Sequence, residues 1–368
     1  MSNYTCTLTT LTPLFIGDGN ELRHGFDFMI QNNKTYRLDE DKILEAKGTQ
    51  LVKDRQGNYP YPGSLLSAAD YNNASYFRYV LNGTPRSRQA DARLKACIKD
   101  CYDRPYIPGS SLKGALRTAL AWCGWGEINI RLERSSIGRS RAWAAKNLEQ
   151  RIFGKDPNTD LLRSLQVSDL QNQQNAADTL GIINAQVLTY KSAGSPVELE
   201  AILGERDFNG TIHIDDTLFS KESDSILHFN NRQHWLTELL PRVQKHSRAR
   251  LNTLIPWFEK TENGMNIANF YRRLLGANIA ENQALIQLGW GCGWDGTTFW
   301  THLQKDALLF EQIVKEFNMH KAQRGSPPRK IGDPFPRSRR AAMSVKNNIA
   351  QPAAPFGWAL LELTEKDR

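Results

Sequence analysis

YIPGSSLKGALRTAL, residues 106–120, is the stretch whose reading decides the fold. Pro108 and Gly109 form a turn, a serine follows as a helix cap, and Leu112, Leu116, Ala119 and Leu120 recur at helical spacing as an apolar stripe. Lys113 and Arg117 lie four apart on one face within the first two turns, where cations oppose the positive end of the helix dipole. An anion would relieve that conflict. Backbone N–H groups of residues 110–113, the hydroxyls of Ser110 and Ser111 and the Lys113 ammonium together make a phosphate seat beside Gly109. The same residues also describe a capped amphipathic helix with solvated basic side chains, and that alternative stays open.

Outward from this helix the chain alternates between sheet and helix signals. Residues 4–11 (YTCTLTTL) are β-branched and alternating, as a strand requires, and residues 13–20 (PLFIGDGN) supply a glycine-bearing turn. Residues 26–30, the Asn32-Asn33-Lys34 turn and residues 36–38 suggest a hairpin, followed by a helix near residues 39–47. From residue 49 to 104 the pattern becomes irregular, with Pro60, Pro62 and Pro85 and a basic pair at Arg86 and Arg88, so this stretch is expected to be an insertion. Strand signals return at 182–190, 197–203 and 208–215, and the last two flank Gly204-Glu205-Arg206-Asp207 as the arms of a hairpin would. Residues 230–286 read as mainly helical, and the short apolar run GWALLEL at 357–363 as a strand. Sheet elements at both ends argue against two sequential domains. The expectation is one α+β core built from 1–48, 105–215 and 287–368, with insertions at 49–104 and, mainly helical, at 216–286.

Composition narrows the partner. A hydrophobic fraction of 40% and a charged fraction of 23% describe a chain that folds rather than one that stays disordered. Lys and Arg number 47 against 39 Asp and Glu, and the resulting charge of +8 favours a polyanionic partner. No apolar run approaches membrane-spanning length and residues 1–11 carry no signal core, so a cytoplasmic protein without a membrane partner is expected. The five cysteines are an odd set without CxxC spacing, which suits free thiols in a reducing compartment. Scattered histidines with no HExxH or paired Cys/His spacing give no basis for a protein-held metal.

Three further segments bear on binding. In residues 289–298, GWGCGWDGTT, Gly291, Gly293 and Gly296 satisfy GxGxxG, but the run lies late in the chain, has bulky Trp294 inside the turn and follows no βαβ unit. It also lacks a Gly-Lys-Ser/Thr ending, so no nucleotide cofactor is expected. Its glycines would instead let the backbone approach RNA or another strand closely, while Trp290 and Trp294 either stack bases or fill a core. Residues 321–340 hold seven basic residues against the single acid Asp333, and Pro327, Pro328, Pro334 and Pro336 keep the stretch extended. As an arm it would track a phosphate backbone through Arg329, Lys330, Arg337, Arg339 and Arg340; the alternative is a solvated loop, which the one-sided charge disfavours. Arg134, Arg139 and Arg141 beside Trp143 carry the same reading more weakly, since a charged surface helix explains them nearly as well.

The run PGSSLKG at residues 108–114 resembles the signature of the RAMP superfamily, the backbone subunits that hold guide RNA in CRISPR effectors. Residues 13–43 look like the family's opening strand and turn, 151–170 (RIFGKDPNTDLLRSLQVSDL) like its FG-to-vsD block, and 197–215 like its central hairpin. Residues 289–298, 334–340 (PFPRSRR) and 355–363 (PFGWALLEL) are most similar to the late blocks of the Csm subunit-five branch. These matches span the chain but cover less than half of its residues, leaving 49–105 and 216–286 unmatched. The resemblance implies a ferredoxin-like (RRM-like), Cas7-like core with helical insertions. It further implies one non-catalytic subunit that caps the 3′ side of the guide RNA (crRNA) in a type III-A Csm effector of antiviral defence. The implied partners are crRNA, target RNA, neighbouring RAMP backbone subunits and small helical subunits.

An endoribonuclease of the same superfamily is the alternative. Asp27, in HGFDFMI, falls where the filament-forming relatives carry a cleaving aspartate, with Asp18 as a nearby competitor, yet no second acid stands at a readable spacing. For guide processing, His24 would act as general base and Lys113 as charge stabiliser, but Gly357 stands alone where processing enzymes carry a multi-glycine loop. No GGDD motif or His-Asp nuclease signature is present, which excludes the polymerase-like large subunit. A protein scaffold with incidental positive charge is the third class.

Overall fold

The first strand, Ser2–Thr10, pairs antiparallel with the last, Trp358–Glu365, on one side and with Asp207–Ile214 on the other. Leu8 therefore lies between Leu361 and Phe208, and all three are fully buried on one face of the sheet, as period-two alternation dictates. The computed structural model describes residues 2–89, 92–191, 193–229, 232–319, 330–346 and 349–366. Gln283–Gln287 extends this sheet beyond the last strand, and Leu165–Val167, Leu170–Gln171 and Tyr106–Ile107 complete its seven strands at the far side. A second sheet runs Ile349–Ala354, Arg339–Lys346, Leu180–Leu188, Ala193–Ile202, Arg93–Cys97, Gly17–Arg23. A third, of three strands, comprises Phe28–Gln31, Lys34–Leu38 and Phe77–Asn82.

Local chemistry explains the elements that match expectation. Asn32 and Asn33 take φ of 49° and 59°, the left-handed pair that a two-residue hairpin turn needs, between Phe28–Gln31 and Lys34–Leu38. Asp39 then accepts the Lys42 N–H and caps helix Glu40–Lys47. In helix Gly109–Glu127 the expected stripe, Leu112, Leu116, Ala119 and Leu120, is buried, and the long helix Leu239–Glu259 packs against it. Among the described residues no helix is long and apolar enough to cross a membrane.

Other elements depart from it. The strands Ala193–Ile202 and Asp207–Ile214 both form, but they are not a hairpin with each other: the first belongs to the six-stranded sheet, the second to the seven-stranded one. Thr10 holds the crossing, its N–H donating to Arg206 O at 2.9 Å and its hydroxyl to Leu203 O at 2.7 Å. Ala193–Ile202 pairs instead with Leu180–Leu188. Gly17–Arg23 is a strand where only a turn was expected, because six of its seven residues are exposed and no apolar alternation marks it. The stretch 49–104, expected as an insertion, contributes Phe77–Asn82 and Arg93–Cys97 to the sheets, with buried Glu200 accepting from Tyr79 Oη at 2.6 Å and from the Cys97 N–H at 3.0 Å. Residues 230–286 are mainly helical as expected, with helices His234–Thr237, Leu239–Glu259 and Met265–Gly276, and only the closing strand Gln283–Gln287 was not foreseen.

Candidate nucleic-acid interface

At the start of helix Gly109–Glu127, Pro108 and not a serine occupies the cap position, and Asp169 supplies the acceptor: its Oδ1 takes the Gly109 N–H at 2.7 Å. The Ser111 and Leu112 N–H groups turn back to Pro108 O at 2.9 and 3.2 Å. The carbonyls of residues 167 and 168 press on Gly109 so closely that a Cβ there would meet Val167 O at 2.3 Å. The protein's own carboxylate thus already answers the positive helix end, while Ser110 remains exposed and Ser111 half-buried. Burial pushes the Lys113 ammonium below its usual pKa, with Asp160 opposing that shift and Arg117 adding to it. Arg117 is held by Asp160 at 2.8 Å and Glu149 at 3.3 Å, and its guanidinium lies 4.0 Å from the Phe153 ring centre.

In the glycine-rich loop, Trp290 stands edge-on to Phe15 and Phe356, and the Arg340 guanidinium covers it 4.5 Å from its ring centre. Trp294 packs against Phe310 and Phe335. Both tryptophans are half-buried against the core. Gly291, at φ 98°, brings the backbone against Phe356, where a Cβ would lie 2.7 Å from Phe356 Cβ; the close approach is to protein. Gly293 is exposed and leads into a short turn, Trp294–Gly296. Here the expected role of Arg339 is corrected. It is 8% exposed and forms a two-point ion pair with Asp295, itself 2% exposed, at 2.9 and 2.7 Å, so it offers nothing to a phosphate. Burial would raise the Asp295 pKa, but the Arg339 and Arg250 guanidiniums outweigh it and hold the carboxyl below its ordinary value. Arg250 lies 4.0 Å from Asp295 and donates to Cys292 O at 3.0 Å. Sequence reading missed Asp295 and Arg250; the only signal was a lone acid inside an aromatic-rich loop.

Next to this centre, burial first and Arg250 second push the His246 imidazole down to about 3. Folded His246 stays neutral where the unfolded chain, with a histidine pKa of about 6.5, takes up a proton. Stability is therefore expected to fall as pH drops from about 6.5 towards 3, with a slope approaching 1.4 kcal/mol per pH unit from this one proton. Urea unfolding between pH 7 and 5 checks it: His246→Gln should flatten the slope, and an unchanged slope would remove His246 as its source.

The structure brings Arg117, Arg141, Trp294 and Arg337 around one cleft of about 760 Å³, between helices Gly109–Glu127 and Ala307–Glu316. Arg141 donates to Phe317 O at 3.0 and 2.6 Å and to Asn318 O at 3.1 Å, closing the carboxyl end of the second helix. Arg134 is paired with Glu316. Arg139 is exposed, and exposed Arg337 stands at the cleft rim. Exposed Lys330 lies in a turn closed by its N–H on Asp333 Oδ2 at 2.7 Å. Arg329, with the rest of 321–329, falls outside the described residues. The arm expected over 321–340 ends in a strand, Arg339–Lys346, rather than continuing as irregular chain.

The candidate catalytic residues have structural partners. Asp27 Oδ2 accepts the Arg23 N–H at 2.7 Å and Asp27 Oδ1 lies 3.7 Å from Arg37; His24 Nδ1 is 3.0 Å from Gln89 O; Asp18 accepts the Asn20 N–H at 2.8 Å. Among the described residues no group of three or more His, Cys, Asp or Glu side chains is placed to hold a metal ion.

Comparison with known proteins places these features in a family. A protein of Methanocaldococcus jannaschii named CRISPR system Cms protein Csm5 is 24% identical, over 96% of this chain and 88% of that protein. A Streptococcus thermophilus protein of the same name is 29% identical over 32% of this chain and 37% of its own length. Among solved structures, a chain of a Csm-crRNA-target RNA ternary complex of a type III-A CRISPR-Cas system superposes with a TM-score of 0.71 at 22% identity, covering 98% of this chain and 100% of that one. The crystal structure of T. onnurineus Csm5 gives 0.63 at 21% identity, with 96% and 99% covered. Both share the α+β fold that the sequence motifs implied. The RAMP superfamily model matches residues 7–294, most of the chain, and the protein belongs to the RAMP superfamily.

Proposed function

We propose that this chain is the Csm5-type subunit of a type III-A CRISPR effector, where it binds crRNA and caps the 3′ side of the guide without cutting RNA. The observation that carries this reading is likeness along almost the whole chain, 96% of it, to a protein named Csm5. The charge of +8 supports an RNA partner, and exposed Ser110, Arg139, Lys330, Arg337 and Arg340, with Lys113 at the helix start, are the groups left at the surface to meet phosphates. Gly109, Arg117, Arg339 and Asp295 act behind them as framework. The remaining partners on this reading are target RNA, RAMP backbone neighbours and small helical subunits. Engagement of Asp27 and His24 by backbone groups supports a non-catalytic role.

The test is to assemble the effector with and without this chain and to map the 3′ ends of the RNA it retains. Capping predicts that the 3′ boundary protected from nuclease recedes when the chain is left out and that wild-type chain with magnesium leaves RNA intact. An identical boundary in both assemblies would refute it.

A further inference from the structure

We propose that the cleft beside Trp294 receives an unstacked base of the bound RNA, with the sugar-phosphate chain passing over Arg337 at its rim. The inference rests on the RNA-binding reading above and adds a base site to it. At about 760 Å³ the cleft lies within the ~300–1,000 Å³ range of pockets that enclose small molecules, and is ample for a base and its ribose. Its charged lining is three arginines and one glutamate, Glu149. Arg117 is balanced by Glu149 and Asp160, whereas Arg141, bonded to carbonyls that carry no formal charge, and Arg337 at the rim leave the mouth positive. A polyanion fits such a rim and a basic peptide does not.

The interior is apolar but not uniformly so. Trp294 and Phe335 meet edge to face at 4.9 Å and 84°, giving the cleft an aromatic wall. Asn318 and Thr298 add polar groups to the lining. The Thr298 hydroxyl donates to Trp294 O at 3.0 Å, which leaves its oxygen able to accept from a base N–H. Exposed Asn318 has both a donor and an acceptor on its amide. An apolar helix from another protein would use the aromatic wall but leave this amide and hydroxyl unmatched. A base uses both: one face against the wall, its polar edge towards Thr298 and Asn318. Helix Gly109–Glu127 and the loop carrying Trp294 both border the cleft, so it continues the surface on which phosphates are placed above.

The experiment uses full-length protein, a short single-stranded RNA with 5-iodouridine at one position at a time, and two cleft-filling variants, Ala144→Trp and Thr298→Trp, checked for wild-type thermal unfolding. Occupancy by a base predicts photo-crosslinks to peptides containing Trp294 or Phe335 and RNA affinity about ten-fold weaker in each folded variant, with the salt dependence unchanged because the phosphate contacts remain. Crosslinks confined to other peptides, with affinity unaltered in whichever variant folds, would overturn the base site while leaving RNA binding intact. Loss of assembly with partner subunits at unaltered RNA affinity would overturn it too, by assigning the cleft to a protein segment. Absence of RNA binding by the wild type would instead fail the underlying reading, and the base site with it.

Discussion

Replacing Asp295 with alanine is expected to destabilise the fold by about 3–5 kcal/mol, the usual cost of leaving one partner of a buried ion pair uncompensated. Asp295 faces Arg339 through both oxygens and Arg250 at 4.0 Å, so its removal strands two buried guanidiniums. The effect should be local in origin and wide in reach. Arg339 opens strand Arg339–Lys346, Arg250 lies in helix Leu239–Glu259, and Asp295 sits in the loop carrying Trp290 and Trp294. Urea unfolding of D295A and of D295A/R339M distinguishes a broken pair from a general packing defect. The double variant should recover the part of the loss that stranded Arg339 causes, because an apolar replacement for a buried pair is often neutral or stabilising, while Arg250 stays uncompensated. A double variant as unstable as the single would contradict the ion-pair account. Since the folded pKa of Asp295 is depressed, its contribution is complete above the ordinary carboxylate range near 4 and disappears as pH falls through the lower folded value.

The second large effect concerns RNA. Charge reversal at Lys113, Arg337 and Arg340 together is expected to weaken binding of single-stranded RNA by about a hundred-fold or more at low salt, since each change removes one phosphate contact and adds a repulsion. Direct titration with a labelled oligonucleotide, beside thermal unfolding to confirm the fold, reads this out. Arg339→Glu would also abolish binding, but by placing like charge against Asp295, and so would say nothing about phosphates. Retained affinity in the folded triple variant would move the interface elsewhere.

How much of this was legible in the sequence depends on what each residue does locally. The PGSSLKG helix, its buried stripe, the Asn32-Asn33 hairpin and the presence of a strand near each end follow from short-range rules, and the structure has them. Strand partnership is different. Residues 197–203 and 208–215 carry the alternation and turn of a hairpin, yet they serve different sheets: the first pairs back with Leu180–Leu188, while the second is taken by Ser2–Thr10 from about two hundred residues away, with Thr10 bonded to Leu203 at the crossing. The basic residues show the same limit: sequence marks Arg117, Arg141, Arg337, Arg339 and Arg340 alike as charged, but only the fold sorts Arg339 into a buried pair and Arg141 onto a helix end. No local pattern announces Asp295 as the partner that does this sorting.

The most direct measurement is the salt dependence of RNA binding by the wild-type protein. If about four phosphates are neutralised, log K against log salt should fall with a slope of roughly −3 for single-stranded RNA. A slope near zero, or affinity too weak to titrate at low salt, would contradict the assignment of this surface to a guide strand.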